Sequence, residues 1–168
     1  SMRTNKKSGN EIGLMKDYRN MGNLSMQKTD WPNADKFYKN ALEINNKTNN
    51  RYEISEDYRN RGNLYLQKED WGLCEKLSLQ ALEIAEEIKD LRNVCHDSRI
   101  LGKVYAEKKS RNKQEDYYKK ALEASVELRD EGEQQIDHRN LGELCLGRGY
   151  KERSENHFKA ALEISLRK

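Results

Sequence analysis

Four arginines, Arg19, Arg59, Arg99 and Arg139, stand 40 residues apart, with asparagines beside them at Asn20, Asn60 and Asn140 and again at Asn23 and Asn63. A guanidinium takes a carboxylate through two parallel N–H bonds, and a carboxamide donates to and accepts from a peptide backbone at once. That chemistry is recognition, and it suits an acidic segment held in extended conformation. Lys16 shares the polar side of the first set, and Lys103 stands where Asn23 and Asn63 stand in theirs. The predicted peptide-binding residues are therefore Lys16, Arg19, Asn20, Asn23, Arg59, Asn60, Asn63, Arg99, Lys103, Arg139 and Asn140. A parallel series, Asp17, Asp57, Asp97 and Asp137, keeps the same step. Aspartate and arginine two apart face away from each other on their own helix. The aspartate of one repeat can nevertheless meet the arginine of its neighbour, so the arginines read equally well as a structural ladder.

No other residue set points to chemistry. His96, His138 and His157 lack metal-ligand spacing, and His138 and His157 fall on packing positions. Cys74, Cys95 and Cys145 are odd in number and form no CxxC, which argues against a disulfide framework and a zinc site. Cys74 and Cys145 read as small hydrophobes, with Cys95 the one expected at the surface. There is no glycine-rich phosphate loop. The expectation is a non-catalytic protein without metal or cofactor.

The composition agrees. Of 168 residues, 35% are hydrophobic and 36% charged, too polar a balance for one large globular core. Lysine plus arginine (32) nearly cancel aspartate plus glutamate (29), and a net charge of +3 is not the footprint of a dedicated nucleic-acid binder. No stretch reaches the roughly 18 apolar residues of a membrane span, and the polar start is unlike a signal peptide. A reducing, cytoplasmic setting is expected, with Ser1-Met2 read as a cloning remnant and residues 1–10 as a flexible start. One proline and few strand formers exclude all-β classes.

These residues must be positioned by helices. Glycine recurs at Gly22, Gly62, Gly102 and Gly142, and Ala-Leu-Glu begins at Ala41, Ala81, Ala121 and Ala161, again in steps of 40. Apolar residues at helical spacing, broken by short polar joints, predict eight helices over 12–28, 31–47, 52–68, 71–88, 92–108, 112–128, 132–148 and 151–167. Asp30, Asp70 and Ser110 are the expected N-caps, and Pro32 fits a first helical turn. The repeats run about 11–48, 49–88, 89–128 and 129–168, as a single array over 11–168.

Within each repeat the spacing is more specific than the period. Tyr18-x2-Met21-Gly22-x2-Ser25, Tyr58-x2-Arg61-Gly62-x2-Tyr65, Ser98-x2-Leu101-Gly102-x2-Tyr105 and His138-x2-Leu141-Gly142-x2-Cys145 are followed by Ala34-x3-Tyr38, Cys74-x3-Ser78, Gln114-x3-Tyr118 and Ser154-x3-Phe158. This resembles the tetratricopeptide repeat, W-x2-L-G-x2-Y then A-x3-F. The 40-residue period and Asn60-Arg61-Gly62-Asn63-Leu64-Tyr65 look like the longer repeats of kinesin light chains and Pins/LGN-type adaptors. Arg61, Gln114 and Ser78 depart from the pattern and predict looser packing around them.

The resemblance implies an all-α, right-handed α-solenoid superhelix whose concave groove is lined by the first helix of each pair and receives a partner's peptide. At about 100° per residue from Gly22, Arg19, Asn23, Lys16 and Asn20 lie between roughly 60° and 160°, opposite the packing side. The family's two-carboxylate clamp for chaperone tails is incomplete here, because Ile100 falls on one of its basic positions. The leading expectation is an adaptor for an acidic peptide. The alternative is a scaffold that stacks or self-associates through its repeat ends, since no extra helix covers the last pair. RNA binding ranks third, because acidic residues interleave with the arginines.

Overall fold

The computed structural model describes the backbone of residues 2–167 and the side chains of residues 10–167. Among these residues there are eight helices: α1 (Met2–Gln27), α2 (Trp31–Thr48), α3 (Arg51–Gln67), α4 (Trp71–Glu87), α5 (Leu91–Glu107), α6 (Arg111–Leu128), α7 (Glu131–Gly147) and α8 (Lys151–Leu166). The fold is all-α, and seven of the eight helices keep their expected bounds to within a residue. α1 starts well ahead of residue 12, as no proline interrupts the preceding stretch. Ser1, which with Met2 was expected to be a cloning remnant, and the side chains of residues 2–9 lie outside the described residues.

Caps and joints fix those bounds. The Asp30, Asp70, Asp90 and Asp130 carboxylates accept from the backbone N–H three residues on, at 3.3, 3.0, 3.1 and 3.1 Å, and Asn50 does the same at 3.3 Å. Ser110 makes no such bond, against expectation. A serine caps only from one rotamer of a short hydroxyl, which residue type does not specify. Each joint contains one left-handed residue: Thr29, Asn49, Glu69, Lys89, Lys109, Arg129 and Gly149.

The chain divides into two compact units, Ser1–Ile84 and Ala85–Lys168, with the division inside α4. In the first, α1 packs on α2 and α2 on α3. Leu42 of α2 joins Ile54 of α3 and Ile84 in one apolar cluster, with Tyr58 against it. In the second, α5 packs on α6, α6 on α7 and α7 on α8. There Tyr118 of α6 joins Leu141 and Leu144 of α7, with Leu122 beside them.

The recurrent glycines explain how paired helices come so close. A Cβ at Gly22 would sit 2.5 Å from the Tyr38 ring, at Gly102 2.2 Å from that of Tyr118, and at Gly142 2.7 Å from that of Phe158. At Gly62 the facing residue is Ser78, with Oγ at 2.9 Å. The departure at Arg61 is accommodated by an ion pair: its Nε lies 2.9 Å from Asp35 on α2, both side chains largely buried.

Candidate functional site

Two members of the arginine series, Arg19 and Arg99, are committed to the fold. Arg19 on α1 reaches α3, where Nε and Nη2 bond Asp57 Oδ1 at 3.1 and 2.7 Å. Its Nη1 bonds Glu53 Oε2 at 2.6 Å, and Nη2 also reaches the Glu53 carbonyl at 3.3 Å. Asp57 is fully buried, and its second oxygen accepts from the Asn45 carboxamide. The second unit repeats the arrangement. Arg99 on α5 bonds Asp137 of α7 through Nε at 2.5 Å and Nη2 at 2.8 Å, and bonds Glu133 through Nη1. Burial works against charge on both guanidiniums, but the facing carboxylates outweigh it and hold their pKa above the ordinary arginine value.

Each fork expected for a ligand carboxylate is thus filled by a protein one in these two cases. Arg59 is itself buried, with Glu56 2.5 Å from its Nη1. Arg139 is exposed and has no ion-pair partner among the described residues. The glutamate arm went unforeseen. The available signal was a glutamate four residues before the ladder aspartate at Glu53 and Glu133, where the other repeats have Gly13 and Asn93.

The asparagines divide as well. Asn23 accepts the Tyr38 hydroxyl at 2.7 Å, giving a buried phenol its partner. Burial of that phenol pushes its pKa up to about 12. Asn63 faces no such group, since Ser78 replaces the tyrosine of its repeat. Asn20, Asn60, Asn63 and Asn140, with Lys16 and Lys103, make no side-chain hydrogen bond or ion pair among the described residues. Asn140 borders a hollow of about 260 Å³ between α6 and α7, shared with Arg111, Gln114, Tyr118, Glu143 and Arg148. Arg148 pairs with Glu115 and donates to the Arg111 carbonyl, but its Nε is buried without a partner. Hydrogen bonds from Lys119, then Arg153, hold the Glu115 carboxyl down near about 2. Arg111 and Arg148 were not anticipated here; they flank the helix pair rather than the 40-residue series.

The remaining polar residues belong to packing. His138 and His157 meet with Nδ1 atoms 3.1 Å apart, half-buried, and burial lowers the pKa of both. Cys95 is fully buried rather than exposed. It occupies the slot of Ser55 one repeat earlier, and its thiol points at the Ala121 carbonyl at 3.5 Å as the Ser55 hydroxyl points at Ala81. Burial first, and then the Asp137 charge, raise that thiol to about 12. Among the described residues no group of three His, Cys, Asp or Glu could hold a metal ion. None of the described helices is long and apolar enough to cross a membrane.

Paired helices in register, glycine against ring and polar residues left over on the first helix of each pair define a helical-repeat chain. Residues 18–52 match the tetratricopeptide repeat family. BtubC (BKLC) from P. vanneervenii superposes with a TM-score of 0.82 at 18% identity, over 93% of this chain and 65% of its own. A signal transduction ATPase with numerous domains and a tetratricopeptide repeat sensor, from Pyrococcus horikoshii, gives 0.82 at 20% identity, over 93% of this chain and 24% of its own. MamA gives 0.54 at 16% identity, over 90% of this chain and 91% of its own. The chain thus spans just under two thirds of BtubC and about a quarter of the ATPase. No curated protein matches the chain in sequence. Residues 18–52 thus match a tetratricopeptide repeat in sequence, a repeat that typically serves as a non-catalytic interaction scaffold, and the chain as a whole shares the fold of these structures.

Proposed function

We propose that the chain is an adaptor whose first helices hold an extended, acidic segment of a partner protein. The observation that carries this is the set of polar side chains left without internal partners: Lys16, Asn20, Asn60 and Asn63 in the first unit, Lys103 and Asn140 in the second. A helix-interior asparagine is intrinsically unfavourable, so one that satisfies nothing inside the fold calls for a role outside it. Carboxamides grip backbone amides irrespective of sequence, and the two lysines select negative charge. Arg19 and Arg99 are held by carboxylates of the fold and Arg59 is buried, which makes the site less cationic than the sequence implied. Affinity should therefore rest more on the carboxamides and less on salt.

Titration calorimetry with acidic peptides tests the reading. Asn63→Ala and Lys103→Ala should each weaken binding about fivefold to tenfold, the scale of one lost hydrogen bond or charge contact, with helicity unchanged. Moderate salt should erode the Lys103 contribution and spare that of Asn63. Equal affinity for wild type and both variants removes these residues from the site.

A further inference from the structure

Two apolar faces of the molecule are uncovered, and they are the two halves of one interface that the chain builds internally. At the α6–α7 junction, Tyr118 and, across from it, Leu141 and Leu144 are 7%, 1% and 8% exposed. Forty residues on from Tyr118 stands Phe158 of α8, 37% exposed. The α1 residues in register with Leu141 and Leu144 are Met21 and Leu24, 44% and 42% exposed. The α2–α3 junction repeats the comparison. Leu42 and Ile54 meet in a buried cluster, whereas their counterparts Leu162 and Leu14 are exposed at 58% and 45%. Phe158, Leu162 and Leu146 line an apolar hollow of about 370 Å³ on the α8 side.

The charges complete the match. The α1–α3 and α5–α7 junctions each pair a ladder arginine with the aspartate 38 residues later, Arg19 with Asp57 and Arg99 with Asp137. Arg139, next in the series, has no acidic partner among the described residues, and Asp17, first of the aspartates, has no basic one; both are exposed. One orphan sits with the α8 face and the other on α1, with the signs and register that the internal junctions use. Surfaces complementary in this heterologous way let a second copy of the same chain satisfy both halves.

We infer that the protein associates head to tail, the α8 face of one copy packing on the α1 face of the next and Arg139 closing on Asp17. Phe158 then takes the place of Tyr118 against Met21 and Leu24, and Leu162 that of Leu42 against Leu14. Only the aspartate arm of the ladder is supplied, since Gly13 stands where Glu53 and Glu133 stand. This contact is therefore weaker than an internal junction. Because a head-to-tail contact leaves a free end on every assembly until a ring closes, mass should rise with concentration instead of stopping at a dimer.

Sedimentation velocity on the chain from low micromolar to near-millimolar concentration, with circular dichroism as the folding control, decides the matter. Asp17→Arg and Arg139→Asp should each raise the concentration of half-assembly by about tenfold or more. The doubly reversed chain should recover most of the loss, because it restores the pair with signs exchanged. Leu162→Glu, on an exposed position, should abolish association without loss of helicity. A monomer at every concentration overturns the inference, the uncovered faces then serving another protein or further repeats. A dimer indifferent to Asp17→Arg also overturns it, as the contact then does not use the Asp17 side of α1. So does failure of the double reversal to rescue.

Discussion

Gly62 and Gly102 occupy the same place in successive repeats but face different side chains, and the difference sets what a methyl group would cost. At Gly102 an added Cβ meets ring carbons of the buried Tyr118 at 2.2 and 2.4 Å, and a ring pinned against Leu141 and Leu144 has nowhere to go. Overpacking of that kind costs about 1–3 kcal/mol, more than the ~1 kcal/mol of helix propensity that alanine gains over glycine. At Gly62 the only close atom is the Ser78 hydroxyl at 2.9 Å, which one side-chain rotation can move away. Gly102→Ala should therefore lower stability measurably in urea unfolding, while Gly62→Ala should be near neutral or slightly stabilising. Equal penalties at both sites would mean that backbone approach, and not the ring, sets the requirement for glycine.

Helix–helix junctions are where the ion pairs act. Arg99 holds a fully buried Asp137, so Arg99→Met should strand a buried charge and cost about 3 kcal/mol, the lower end of such losses. Adding Asp137→Asn should return a large part of it in a double-mutant cycle, and acidic-peptide affinity should stay unchanged throughout because this arginine faces protein. Most of these helices were legible in the sequence, since the 40-residue step and the aspartates at the joints are local signals that tertiary contacts reinforce. The site was legible only in outline. Spacing put Arg19, Asn20 and Asn23 on one side of α1, but whether a polar group there faces solvent or a neighbour depends on the next helix. Arg19 turned out to be spent on Glu53 and Asp57, and Asn23 on the Tyr38 hydroxyl. Cys95 was misplaced for a related reason: its own helix gave no polar or apolar cue, and only register with Ser55 placed it inside.

A molecule made of stacked repeats has no single core, so stability follows how many neighbours each helix has rather than any one contact. Within the second unit this is visible as a gradient. α5 buries ten of its 17 residues, Leu101 and Val104 completely, whereas α8 buries only Ser154, Ala161 and Ile164 of its 16. The two helices are similar in length, and the difference in burial reflects the elements packed against each. In dilute solution, native-state hydrogen exchange should show α5 amides protected to near the global unfolding limit and α8 amides opening at much lower free energy. Raising the protein concentration should then increase protection in α8 and in α1 selectively if copies cover those faces, leaving α5 as it was. Uniform protection across α5 and α8 at high dilution would contradict the nearest-neighbour account, since α8 would then draw stability from something other than the helices packed against it.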